Sequence, residues 1–246
     1  MRVAHITFLL ISGLLLHHSA TAQWSQDFSN MIEISNVKAM EASSSHLYVL
    51  SDLDGMAVFR IKSDSLQWLY TSSGMQRRGD RLESDIRFGY LYGDSRRLTV
   101  LEPTSVLGVF SSTQLSVPPL GVARLGDKLY VALNEEGMGR LSLTDPDIFD
   151  NEPEIVENGI IGRASVIDVA SSTVANQLFV LTNDNRIHLF KMEEGELSHT
   201  SSVNLTEPVQ RLFIQGDNIW ASSESGGVFS ITTNGIGRKL GEVDAP

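Results

Sequence analysis

The sequence predicts an all-β protein built from about five similar four-stranded units. Two observations carry this: a strand–turn–strand pattern that recurs five times, and turns between the strands made of hairpin-forming residues. A third fixes the address. Residues 1–22 have the build of a cleavable export signal, leaving residues 23–246 as a single repeat domain.

The leader has a positive end at Arg2, an apolar run from Ile6 to Leu16, and Ala20-Thr21-Ala22 as a small-residue cleavage site before Gln23. A membrane-spanning helix needs ~20 apolar residues, about twice this run. No second long apolar run follows. The chain is expected outside the cytoplasm, in the periplasm, at the cell surface or outside the cell. The formal charge is −11, and losing Arg2 makes the mature chain one charge more acidic. An acidic surface is a poor match for nucleic acid or an anionic membrane. There is no cysteine. Small secreted domains of eukaryotes usually carry disulfides, so the composition fits a bacterial envelope protein whose core needs none.

The five copies begin as LYVLSDLDGMAVFRI at Leu47, LTVLEPTSVLGVFSS at Leu98, LYVALNEEGMGRLSL at Leu129, LFVLTNDNRIHLFKM at Leu178 and IWASSESGGVFSITT at Ile219. Each first strand starts eight residues before the second: Leu47 and Gly55, Leu98 and Val106, Leu129 and Gly137, Leu178 and Arg186, Ile219 and Gly227. The intervening turns are rich in Asp, Asn, Ser and Gly, which form hairpins. A further strand is expected before each pair, at 37–42, 85–92, 122–125, 166–170 and 209–215. A fourth follows some pairs, at 66–71, 197–203 and 238–243. Four strands in on the order of 40 residues is the size of one propeller blade.

The third copy, VARLGDKLYVALNEEGMGRLSLTDPD from Val122 to Asp147, is the most detailed. It resembles the LVIVD-type repeat of secreted bacterial β-propellers, with a Gly-Asp turn, a YVA strand and an Asp-Pro exit. The other copies share strand pattern and spacing with the β-propeller superfamily. The resemblance implies blades packed radially around a channel, with the innermost strand of each blade lining it. It carries no catalytic signature. Closure has two readings: Met31 to Ser35 completes the last blade and the strand at Arg238 to Val243 is misassigned, or Arg238 to Val243 fills that slot and the array stops short of a longer protein.

The resemblance also implies a functional surface. Loops joining second to third strands, and those passing between blades, gather at one mouth of the channel. This points to Asp52 and Asp54, Glu102, Asn134, Glu135 and Glu136, Asn183, Asp184 and Asn185, and Glu224. Two readings stand for them. They form a ring of carboxylates and amides that holds a sugar or a hard cation such as calcium, or they are turn formers and nothing more. A basic inter-blade segment, Thr71 to Ser84, carries Arg77, Arg78 and Arg81. It reads as an anion- or partner-binding loop or as a solvated loop neutralised by its own acids. Within it lies Arg78-Gly79-Asp80, a cell-adhesion tripeptide. No zinc spacing, phosphate loop or Gly-Xaa-Ser-Xaa-Gly elbow is present, and His46, His188 and His199 lie in no motif. The expected function is binding of a protein or carbohydrate. The rival is a hydrolase of glycans or lactones working through mouth carboxylates, with calcium as its possible cofactor.

Overall fold

The computed structural model describes residues 34–242 apart from 76, 77, 86, 104–108, 144–151, 157, 158, 162, 216, 217, 224 and 233–236. Residues 1–22, expected to be an export signal, and the segment Met31 to Glu33 lie outside the described residues. Among the described residues, twenty strands form five four-stranded antiparallel sheets, each a meander of consecutive strands. Blade 1 holds β1 (Val37–Ala42), β2 (His46–Ser51), β3 (Gly55–Ile61) and β4 (Leu66–Ser72). Blade 2 holds β5 (Arg81–Ser84), β6 (Gly89–Tyr92), β7 (Arg97–Leu101) and β8 (Val109–Gln114). Blade 3 holds β9 (Gly121–Leu125), β10 (Lys128–Ala132), β11 (Met138–Ser142) and β12 (Glu154–Ile155). Blade 4 holds β13 (Val166–Ser172), β14 (Gln177–Thr182), β15 (Arg186–Glu193) and β16 (Glu196–Asn204). Blade 5 holds β17 (Val209–Gln215), β18 (Asn218–Ser223), β19 (Gly227–Ile231) and β20 (Gly237–Glu242), so residues 237–242 supply its fourth strand.

Blade 2 corrects the sequence register. The segment at Leu98 is its third strand, and the expected inner strand at 85–92 divides into the end of a β5–β6 hairpin. The whole copy is displaced by one strand. Glu102 therefore follows the third strand, at the end of the blade away from the second-to-third-strand turns, and leaves the predicted ring. The basic segment is also shorter than read. Thr71 and Ser72 finish β4, and Arg81 opens β5, so Arg81 is an inner-strand residue rather than a loop residue.

The second strands of blades 1 to 4 are largely apolar because both their faces are buried. In β14, Leu178 and Val180 pack toward blade 3 while Phe179 and Leu181 pack toward blade 5. Among the described residues, apolar clusters fill the four seams between successive blades. Tyr48, Leu50 and Met56 meet Leu82 and Leu91. Phe88, Tyr90 and Leu98 meet Leu129 and Val131. Tyr130 and Met138 meet Leu178 and Phe190. Leu189 and Phe179 meet Ile219 and Phe229. Outer strands lose one of these faces and alternate instead, as in ELSHTSSVN of β16. The first strand of each blade is the one that contacts its counterpart in a neighbouring blade, β1 with β5, β9 with β13 and β13 with β17.

Candidate functional site

Three inner strands carry a β-bulge at the same place, one residue into the strand: between Val37 and Ala39, Val166 and Asp168, and Val209 and Arg211. A bulge leaves one residue unpaired and re-aims the side chain that follows. In β13 and β17 that residue is charged, and the two meet at the centre of the molecule. Asp168 Oδ2 accepts from Leu212 N of blade 5 at 2.7 Å, and Oδ1 accepts from Val169 N at 2.9 Å. Arg211 Nη1 lies 3.9 Å from Asp168 Oδ1 and 3.6 Å from Glu83 Oε1, and donates to Tyr92 Oη at 3.3 Å. One guanidinium thus reaches from blade 5 to the junction of blades 2 and 3.

Glu83 completes the group. Its Oε1 accepts from Tyr92 Oη, and its Oε2 accepts from Val122 N of blade 3 at 3.3 Å. Arg81 Nη1 donates to Leu120 O at 3.0 Å, and Arg211 Nη1 donates to the same carbonyl at 3.4 Å. Glu41 of β1 accepts from Ser84 Oγ of β5 at 3.3 Å. Burial raises the pKa of both Glu83 and Asp168. For Glu83 the Asp168 charge adds to the rise, with Tyr92 and Arg211 opposing it. For Asp168 the Leu212 amide and Arg211 oppose it. Burial lifts Glu41 to about 7. The centre is a set of carboxylates that hold protons unusually well, two of them joined through Arg211. Gly121 is fitted to it: a Cβ there would stand 2.0 Å from Asp168 Oδ1.

Apart from Glu102 and Glu224, the predicted mouth residues lie in the turns at one end of this channel, and each blade ties its turn to the segment entering its own inner strand. In blade 1 Asp54 Oδ2 accepts from Ser35 N and Ser35 Oγ, both at 3.0 Å, and from Ser51 Oγ at 3.1 Å. In blade 2 Ser95 Oγ donates to Arg78 O. In blade 3 Ser116 Oγ donates to Glu136. In blade 4 Asn183 Oδ1 accepts from Ser165 N at 3.1 Å. In blade 5 Ser225 Oγ donates to Glu207 at 2.6 Å. Asn134 takes the left-handed conformation, φ 53°, and exchanges both backbone hydrogen bonds with Val166, tying blade 3 to blade 4.

Asp52 pairs with Lys38 at 3.3 Å, and Asp184 accepts from Thr182 Oγ1 at 2.6 Å and pairs with Arg186 at 3.4 Å. Glu135 is exposed. Glu224 and Arg77 lie outside the described residues. Among the described residues, no three of His, Asp and Glu are gathered so as to hold a metal ion. The tripeptide Arg78-Gly79-Asp80 is pressed against β6: Gly79 is buried, and a Cβ there would come 2.3 Å from Tyr92 O.

Sequence reading missed Glu83, Asp168 and Arg211. The signal for two of them was present as single charges inside largely apolar runs, VIDVA and VQRLFI. A charge placed there is buried and needs a partner.

No family model and no curated protein matches the chain. Solved structures do. It is similar to the β-propeller domain of Myceliophteria thermophila Cps50 (Swd1), with a TM-score of 0.63 at 10% identity over 83% of this chain and 67% of that one. It is similar to KlHsv2 with loop 6CD replaced by a Gly-Ser linker, TM-score 0.58 at 12% identity, over 83% and 66%. It is also similar to the computationally designed Ika8 protein, TM-score 0.54 at 11% identity, over 85% and 62%. The chain spans about two thirds of the length of these structures. At such identities the likeness speaks for the fold alone, and with the five sheets above it makes the chain a five-bladed β-propeller.

Proposed function

We propose that the chain is a secreted binding module that takes a protein or a carbohydrate at the turn-bearing end of the propeller, at the cell surface or outside the cell. The observation that carries this is the tied rim. Five turns are each held to a neighbouring segment, so Asp52, Asp54, Asn134 and Glu135 are presented as exposed groups on a rigid frame. Rigid presentation reduces the ordering cost of binding. Leu53, 67% exposed at the tip of the blade 1 turn, adds an apolar contact beside them. Arg78 belongs to the same end, and the LVIVD-type likeness of blade 3 belongs to this proposal too.

The test is a glycan array probed with residues 23–246, followed by titration of the best ligand or of a purified surface protein. The triple variant Asp52→Asn, Glu135→Gln, Asp184→Asn is expected to lose at least about tenfold in affinity, the loss of one good polar contact. Glu41→Gln, deep in the channel, is expected to bind as the wild type does. Equal binding by the triple variant overturns the reading.

The hydrolase reading keeps one observation in its favour. Glycosidases need a carboxylate that retains its proton beside one that gives it up more readily; burial holds Glu83 well above the ordinary range, while two backbone amides and Arg211 oppose the rise at Asp168, and Arg211 joins the two. Turnover of a glycan or lactone that Glu83→Gln abolishes selects it.

A further inference from the structure

In blade 4 a chain of five side chains lies outside the channel: three on the β15–β16 hairpin, Thr182 at the end of β14 and Asp184 in the turn that follows it. His188 of β15 pairs with Ser202 of β16, and Phe190 pairs with His199. Positions 199 and 202 would face opposite sides of a regular strand. The register shifts between Leu189 and Phe190, which leaves Thr200 unpaired, its Oγ1 donating to Leu189 O at 3.0 Å. That bulge brings His199 and Ser202 to one face.

Ser202 Oγ then lies 3.0 Å from His188 Nδ1 and 2.9 Å from His199 Nε2. On its other side, His188 Nε2 is 3.4 Å from Thr182 Oγ1, which is 2.6 Å from Asp184 Oδ1. The acceptor at the end sets the direction of every proton. A carboxylate and a carbonyl only accept, so Thr182 gives its hydroxyl proton toward Asp184 Oδ1 and, at 3.2 Å, Arg186 O, the Asp184 contact being the shorter, and receives from His188 Nε2–H. His188 Nδ1 is then bare and accepts from the Ser202 hydroxyl. Ser202 Oγ in turn accepts from His199 Nε2–H. His188 is 3% exposed while Ser202 is exposed.

A nucleophile within reach of a base, with the base oriented by a third group, is the arrangement that activates serine. We infer that Ser202 is an activated nucleophile that accepts the acyl group of a small, solvent-borne carboxylic ester. Oγ bonds to the ester carbonyl carbon as its proton passes to His188 Nδ1. The C–O bond to the leaving group breaks and His188 returns the proton to the departing alkoxide. Water then attacks the acyl-serine with His188 as base, releasing carboxylate and restoring the hydroxyl. As Oγ becomes an ester oxygen, His199 Nε2–H turns from it to the adjoining carbonyl oxygen, which becomes negative. Asp184, acting through Thr182, is a positioning residue. Burial lowers the pKa of His188 and so keeps it neutral, with Asp184 pulling upward and His199 and Arg186 pulling further down. The inference does not depend on ligand binding at the rim.

The test is incubation of residues 23–246 with p-nitrophenyl acetate, followed by intact mass and peptide mapping. One acetyl group is expected, on Ser202. Ser202→Ala, at an exposed position, is expected to fold and to lose both the label and nitrophenol release. His188→Gln is expected to slow acetylation about 100-fold, the lower range for a general base. Asp184→Asn is expected to shift the pH inflection of acetylation downward, since it removes the charge that raises the His188 pKa; a purely structural Asp184 leaves that inflection in place. Acetylation only at lysines, or Ser202→Ala reacting at the wild-type rate, overturns the inference.

Discussion

Gly121→Ala tests the central packing with a single methyl group. Gly121 opens β9, and no positive φ marks it, so the backbone accepts alanine. The cost is steric. The new Cβ would stand 2.0 Å from Asp168 Oδ1, 3.0 Å from Val169 N and 3.1 Å from Asp168 Cα. Two of those atoms are backbone. The carboxylate is held by the amides of Val169 and Leu212 and cannot swing away without leaving them bare. Overpacking a fixed site costs about 1–3 kcal/mol. A domain of this size loses roughly 2–4 °C of Tm per kcal/mol. Thermal unfolding should therefore fall by about 2–12 °C. Gly159→Ala is the control, because nothing lies within 4 Å of its Cβ and its φ is also ordinary. A Gly121→Ala melt within about 1 °C of the control refutes the seam geometry, since that is below the smallest overpacking cost.

Three further outcomes follow from the channel and rim. Arg211→Met leaves Glu83 and Asp168 without their shared cation, and breaking a buried pair costs about 3–5 kcal/mol. Because both carboxylates can take up protons instead, urea melts should show a larger loss at pH 8 than at pH 5; equal losses contradict the pairing. Glu41 titrates near 7 in the fold against an ordinary value of 4.5, so the native state binds more protons than the unfolded one between those values. Its contribution to stability is present below pH 4.5 and lost as pH rises toward 7. Glu41→Gln should flatten that part of the stability profile, and an unchanged slope rejects the assignment. Calcium at 1 mM should move the Tm by less than about 1 °C, because Asp54, Glu136 and Asp184 already accept hydrogen bonds from the protein. A larger rise favours a cation site at the mouth.

Four of the five blades were legible from spacing and turn chemistry. Blade 2 was not, for a physical reason. In the sequence, Tyr90 to Leu98 and Leu98 to Val106 both span eight residues, so spacing alone cannot choose between Leu98 as the start of a second strand and as the start of a third. Its inner strand, RLES, has one apolar residue in four and reads as loop, because it faces charged neighbours across the channel rather than a core. The same environment hid Glu83, Asp168 and Arg211, whose meeting depends on bulges and radial packing that no local pattern encodes. Ser202, His188 and His199 were concealed likewise. The bulge at Thr200 decides which face His199 takes, and its sequence, SHTSS, gives no sign of it. The mouth residues were easier to place, since Asn and Asp in tight turns announce themselves. What they bind is set by partner chemistry.

A crystal structure of residues 23–246, soaked with calcium and a mixed glycan pool, tests the account most directly. It predicts the Arg211 guanidinium spanning the channel between Glu83 and Asp168, Gly89–Tyr92 as the second strand of blade 2, and ligand density beside Asp52, Asn134, Glu135 or Asp184. An open channel with ligand held between Glu83 and Asp168, and bare turns at the rim, contradicts it.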